Sequence, residues 1–394
     1  CFTHAPPFVP ETVFIDGQIK LMSSTYVRSW QNLVLWLYAN PNRKHFESGV
    51  STVILSFDDY TYVPTVKSMT QAKRAQKTTP VDFKSTESLP DTIPPNWNQA
   101  IMNRGFKTKV ILLIIEVLPQ FLSLRPGQKL YIDYHGSPMV FEGTEAMPDP
   151  RFGPLGESDV KFTRYLDYFP NMLVESIDAD YIPIALIKWE SMARSDKACN
   201  IAIYRMETNI SKAPKKDVNE KHKTKYEYLD IHKLGSVLTQ KFDSYSAVPN
   251  QMEMLSILIA LTGCDFIRDL PRVGPAVIWN NIAAIWKPLT ACYDPTNSML
   301  DYDTLLDRVV ARIYVMKFGK HVTSCKDLAT VLKQIRGSKL SEAVRDQIPS
   351  YETLRCSVKN SHWVLLYWRD ASTVPDAKPF GYVEKANNRM DWES

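Results

Sequence analysis

Five short apolar runs, each of strand length, recur through the first half of the chain with helix-length segments between them. They are VFI (Val13–Ile15), TVILSF (Thr52–Phe57), KLYIDY (Lys129–Tyr134), MLVESI (Met172–Ile177) and IAIYRM (Ile201–Met206). Near-continuous apolar runs suit strands buried on both faces, and long spacers suit parallel crossovers. The pattern predicts an α/β fold with a mostly parallel central sheet flanked by helices. Between the first two runs, YVRSWQNLVLWLY places apolar residues at three- and four-residue steps, so a crossover helix is expected there. Beyond about Gly235 the pattern turns helical, in MEMLSILIALTG, AVIWNNIAAIW and the stretch from Tyr302 to Phe318. The last fifty residues, with Trp363, Trp368 and Trp392, are expected to pack as an appendage on the core.

Composition narrows the chemistry. With 394 residues, 44% hydrophobic and 23% charged, the chain can bury a large core and is not a disordered or collagen-like polymer. It has 14 glycines and neither a GxxxxGK[ST] loop nor a GxGxxG turn, which argues against glycine-rich cradling of a nucleotide. The net charge of +4 leaves any contact with nucleic acid to local clusters of basic residues. Six cysteines occur without CxxC spacing, against a zinc knuckle or a disulfide scaffold and in favour of a reducing compartment, nucleus or cytoplasm. The most apolar stretch, Val110 to Leu124, is interrupted by Glu116 and Pro119 and falls short of the roughly 20 residues of a membrane span, so it is expected in the core and no membrane partner is expected. No signal peptide is recognisable in the sequence, which opens at Cys1. From Ser211 to Lys225 six lysines and few apolar residues predict a loop.

Three of the strand-length runs end in acids: Asp16 after the first, Asp58 and Asp59 after the second, and Asp178 and Asp180 after MLVESI. In open α/β sheets ligands bind beyond the carboxyl ends of the strands, so these side chains are candidates to converge. The plain alternative is that each starts a turn or caps a helix. Glu157 and Asp159 fall at the first turn of a predicted helix, and Asp265 follows an apolar helix close to Gly263. Seven carboxylates brought together repel one another unless cations intervene. Ligation by oxygen alone points to Mg²⁺ or Mn²⁺ rather than zinc. Two such ions roughly 3.5–4 Å apart suit phosphodiester hydrolysis without a side-chain nucleophile. No GxSxG or HExxH motif supports acyl transfer or metalloproteolysis.

In order, FIDG (Asp16), SFDD (Asp58), GESD (Glu157, Asp159), IDAD (Asp178, Asp180) and GCDF (Asp265) resemble the 5′ nuclease superfamily of flap endonucleases, XPG-type repair nucleases and 5′→3′ exoribonucleases. The resemblance runs over about residues 12 to 290. It implies a PIN-like, flap-endonuclease-like core and a nuclease using two Mg²⁺ or Mn²⁺ ions. Asp16, Asp58, Glu157 and Asp159 would hold the first, and Asp178, Asp180 and Asp265 would complete the second. It also implies that Lys67 and Arg74, one helical face apart, contact the scissile phosphate or 5′ end, with Gln71, Lys73 and Lys77 beside them. PxxKxxxQxxR (Pro64, Lys67, Gln71, Arg74) resembles the exoribonuclease pocket for a 5′-monophosphate. RVGPAVIWNNI, with Gly274, resembles the helix-turn-helix by which flap enzymes grip duplex DNA. Partners are therefore DNA or RNA with a single-stranded 5′ end, and both branches stay open. Six residues beyond Asp16, where the superfamily usually offers a stacking ring, this chain has Met22.

The resulting organisation is a nuclease α/β core over 1–206 with an arch at about 65–125, a lysine-rich insertion at 207–233, an internal nuclease region at 234–290 with the helix-turn-helix-like segment, and a helical extension at 291–394. The alternative from a different class is a catalytically weak or inactive scaffold that binds nucleic acid or protein; it would be expected to have lost several of the acids.

Overall fold

The computed structural model describes residues 1–23, 29–59, 88–143, 145–207, 225–264, 267, 270–323, 325–373, 375–384 and 390–392. The described residues fall into two compact units, one holding 1–59, 88–185 and 196–234, the other 186–195 and the residues from 235 onward.

Among the described residues, the first unit contains a nine-stranded mixed sheet. Its strands are β1 (Phe2–Thr3), β2 (Thr12–Asp16), β3 (Thr52–Ser56), β4 (Lys129–Asp133), β5 (Met139–Glu142), β6 (Glu145–Pro148), β7 (Asn171–Glu175), β8 (Asn200–Glu207) and β9 (Lys225–Asp230), in the order β1-β9-β8-β7-β2-β3-β4-β5-β6. All five apolar runs are strands, and they form the parallel centre β8-β7-β2-β3-β4. The outer strands β1, β5, β6 and β9 pair antiparallel. The chain lays β3 and β4 to one side of β2, then crosses back to lay β7 and β8 on the other. The order therefore reverses between β2 and β7, which is where the ends of parallel strands leave a crevice.

Alternation along the strands explains why the central ones read as unbroken apolar runs. Val13, Ile15, Val53, Leu55, Leu130 and Ile132 share one core with Leu33, Val34, Tyr38 and Phe46 before β3 and with Phe106, Val110, Ile111 and Ile114 before β4. The opposite face is aromatic. Phe14 lies 6.0 Å from Phe162, 6.0 Å from Tyr165 and 6.5 Å from Tyr181, ring centre to ring centre. These rings belong to the helices Ser158–Tyr165 and Tyr181–Arg194.

The expected crossover helix is present as Trp30–Val34, a π turn at Leu35–Ala39 and Asn40–Glu47. From the Val110 to Leu124 stretch comes the helix Arg104–Val117, capped by Asn103, whose side chain accepts the Phe106 N–H. This part of the 65–125 segment is thus a packed layer of the sheet. The 207–233 insertion is narrower than the lysine count suggests: Lys225–Asp230 forms β9 on β8, and Ile231–Asp243 is a helix. Alternating aromatics in KYEYLD favour a strand despite the neighbouring lysines, and the Tyr204 and Tyr228 rings sit 4.8 Å apart across the pair.

The second unit is helical. Gln251–Leu261 is buried on nearly every side and packs chiefly against Tyr351–Arg369. Gly263, with φ of 99°, ends the first of these in the left-handed region that favours glycine. Trp363 and Trp368 lie in the interior, and Trp286 stacks on Phe242 at 3.8 Å. Residues expected to form an appendage therefore supply the interior of this unit, and no boundary separates 234–290 from 291–394. The reason is volume: large rings at Trp363, Tyr367 and Trp368 recur on the inward side of one long helix. No helix among the described residues is long and apolar enough to cross a membrane.

Candidate functional site

Asp16 ends β2 on the same face as Phe14, so its side chain enters the aromatic layer. One carboxylate oxygen, Oδ1, accepts the Gln18 N–H at 3.0 Å, and the other lies 3.3 Å from the Tyr181 hydroxyl. Gly17 follows because a side chain there is sterically excluded: a Cβ would lie 2.5 Å from the Phe57 ring. This contact seats the end of β2 against the residue before Asp58.

Asp58 stands two residues past β3, and its Oδ1 accepts the Ser158 N–H at 3.0 Å. Glu157 is the N-cap residue of the helix Ser158–Tyr165, with extended backbone, and Asp159 lies in the first turn. Both acids are buried. A helix N-terminus favours negative charge, and here it also donates a backbone N–H to a strand-end acid. Asp178 follows β7. Its Oδ1 accepts the Asp180 N–H at 3.1 Å, which starts the helix Tyr181–Arg194. The turn-starting role foreseen as the plain alternative is thus real at Asp16 and Asp178, and it occupies one oxygen of each.

Charge shows which acids are neighbours. Burial, reinforced by Asp58, Asp178 and Asp159, pushes the Asp16 carboxyl from 3.8 up to about 8. Acids following β3 and β7 and one at a helix start therefore act on the acid ending β2, at the crevice where the strand order reverses. Burial, then the charge of Asp16, also raises the Tyr181 hydroxyl well above its usual range. The donor set is hard carboxylate oxygen, as Mg²⁺ or Mn²⁺ requires. As the side chains stand, no three Asp, Glu, His or Cys residues among the described ones are close enough to hold a metal ion.

Of the residues expected at the site, Asp58, Asp159 and Asp178 are brought within electrostatic reach of Asp16, and Glu157 and Asp180 adjoin them in the chain. Asp265, Lys67, Gln71, Lys73, Arg74 and Lys77 lie outside the described residues. Gly274 precedes the helix Pro275–Asn280 in the other unit, with open space around it and a backbone any residue can adopt. Met22 is exposed, and the nearby Tyr26 is outside the described residues.

Sequence reasoning missed the buried cation that ties these elements together. The Lys161 ammonium, 1% exposed, donates to the Phe57 carbonyl at 2.7 Å and sits 2.9 Å from Asp133 Oδ1. Tyr165 donates to the other Asp133 oxygen at 2.9 Å. Lys161 thus ties the helix carrying Glu157 and Asp159 to the ends of β3 and β4. His135 has Nδ1 at 3.1 Å from Asp59 Oδ2. The only sign of Lys161 in the sequence was a lysine flanked by Val160 and Phe162. Compared with known proteins, the chain matches no family model and no curated protein.

Proposed function

We propose that the chain is a divalent-metal-dependent nuclease of the 5′ nuclease type, with a PIN-like core, acting on 5′ ends or flaps of single-stranded DNA or RNA. The observation that carries this reading is the placement of acids after β2, β3 and β7 and at a helix start where the strand order reverses, with burial and the acids of two of those strand ends and the helix start raising the Asp16 carboxyl. Acids gathered at the switch point of a parallel sheet form an environment that divalent cations relieve. Asp16, Asp58, Glu157 and Asp159 would hold one ion, with Asp178, Asp180 and Asp265 serving a second. When bound, the ions would stabilise charge on the scissile phosphate and activate water. The chain's own part is to orient the carboxylates through Gln18, Ser158 and Tyr181. Lys67, Gln71, Lys73, Arg74 and Lys77 would take the phosphate and the 5′ end. All six cysteines are free, which supports an intracellular setting, nucleus or cytoplasm.

The test is cleavage of matched DNA and RNA strands bearing 5′-phosphate, 5′-hydroxyl or flap ends, with Mg²⁺ or EDTA. Metal-dependent cutting is expected, and Asp178→Asn should lower it by about a hundredfold or more while the protein stays folded. A 5′-phosphate requirement on RNA selects exoribonuclease action, and incision at a DNA junction selects flap cleavage. Binding that ignores EDTA, with no strand cut, is the result that favours the non-cutting scaffold.

A further inference from the structure

We propose that the Tyr181 hydroxyl is the positioning group for the cation-binding acids, acting through Asp16 and Ser158. This rests on the metal-dependent reading above.

Tyr181 opens the helix Tyr181–Arg194 and is 1% exposed. Its ring is stacked on Phe162 at 5.3 Å and lies 6.5 Å from Phe14, so packing fixes where the hydroxyl sits. The hydroxyl lies 3.3 Å from Asp16 Oδ2 and 3.1 Å from Ser158 Oγ. A phenol has one proton, so the hydroxyl serves Asp16 Oδ2 or Ser158 Oγ in turn, and the Ser158 hydroxyl fills its lone pair when the proton is turned to Asp16. The Ser158 N–H in turn donates to Asp58 Oδ1 at 3.0 Å. One phenol thereby links the acid ending β2, the acid following β3 and the helix start carrying Glu157 and Asp159.

The carboxylate of Asp16 has about four lone-pair sites. The Gln18 and Ile19 N–H groups and the Tyr181 hydroxyl all act on it, which fixes the plane of the group and leaves about one site for a cation. The ring alone fills the volume between Phe14 and Phe162, so the hydroxyl is free to serve the acids. Sequence separation hid this: Tyr181 and Asp16 are 165 residues apart.

The deciding experiment titrates Mn²⁺ into the full chain by calorimetry and by electron paramagnetic resonance, comparing wild type, Tyr181→Phe and Tyr165→Phe. Tyr165 is the matched control, since its buried hydroxyl also serves an aspartate, Asp133, which is held by Lys161. Groups hydrogen-bonded to metal ligands typically carry 10–100-fold of affinity, so Tyr181→Phe should weaken Mn²⁺ binding by about that factor. Tyr165→Phe should stay within about twofold of wild type, as expected for a hydroxyl that orients no ligand. Cleavage by Tyr181→Phe should approach the wild-type rate at raised Mn²⁺. Thermal unfolding of each variant in EDTA separates loss of fold from loss of affinity. Unchanged affinity in Tyr181→Phe, or equal weakening in both variants, overturns the inference while leaving the metal reading standing. A wild-type protein that takes up no Mn²⁺ overturns the metal reading, and the inference with it.

Discussion

Two sets of acids occupy the carboxyl-end edge of one sheet and differ in what surrounds them. Asp133, ending β4, is matched by buried Lys161. Glu175, ending β7, is matched by Lys20 at 3.4 Å and His45 at 3.0 Å. Asp16 instead has Asp58, Asp178 and Asp159 acting on it. The consequence appears in proton affinity. Burial opposes the Glu175 charge, but His45 and Lys20 outweigh it and bring the carboxyl down to about 2. Asp16 is driven the opposite way, to about 8. Position at a strand end therefore does not set proton affinity; the charges around each acid do.

The sharpest way to break the contrast is to remove a matching cation. Lys161→Met should destabilise the chain by about 3–5 kcal/mol in urea unfolding, because Asp133 is left buried without its partner. Adding Asp133→Leu should recover much of that loss, and failure to recover would count against a matched pair. Acid titration gives the next effect. The folded carboxyl of Glu175 is lower than its ordinary 4.5. Its stabilisation is accordingly present above about 4.5 and lost as pH falls through about 2. Glu175→Gln should remove about 2–3 kcal/mol of that pH-dependent stability.

At Asp16 the sign reverses. In EDTA near neutral pH, Asp16→Asn should raise stability by about 1–3 kcal/mol, since it removes a buried carboxyl that folding forces to take up a proton, while abolishing Mn²⁺ uptake. A destabilised Asp16→Asn would show that the acid serves the fold. The smallest effect is expected at His135, whose side chain is 66% exposed: His135→Ala should change stability by about 0.5 kcal/mol or less.

What the sequence disclosed follows from range. Parallel strands β2, β3, β4, β7 and β8 are legible because burial on both faces leaves an unbroken apolar run. The edge strands carry no such mark: β1 has two residues, and β6 ends in Pro148. Asp16, Asp58, Asp159 and Asp178 were legible as acids at element ends, a local property. Lys161, Tyr181 and Ser158 were not, because their importance comes from partners up to 165 residues away. Glu190 shows why a raised carboxyl alone is a poor guide. Burial lifts it to about 7 in the helical unit, against the opposing pull of Arg194, without a gathering of strand-end acids around it.

The pairing of β8 with β9 has a further consequence. Glu207 and Lys225 are opposite one another in the ladder, so their backbones are held side by side. A segment inserted between these two positions would have its ends already brought together, and each doubling of its length would cost only about 0.6 kcal/mol, so the strand ends near Asp16, Asp58 and Asp178 would keep their places.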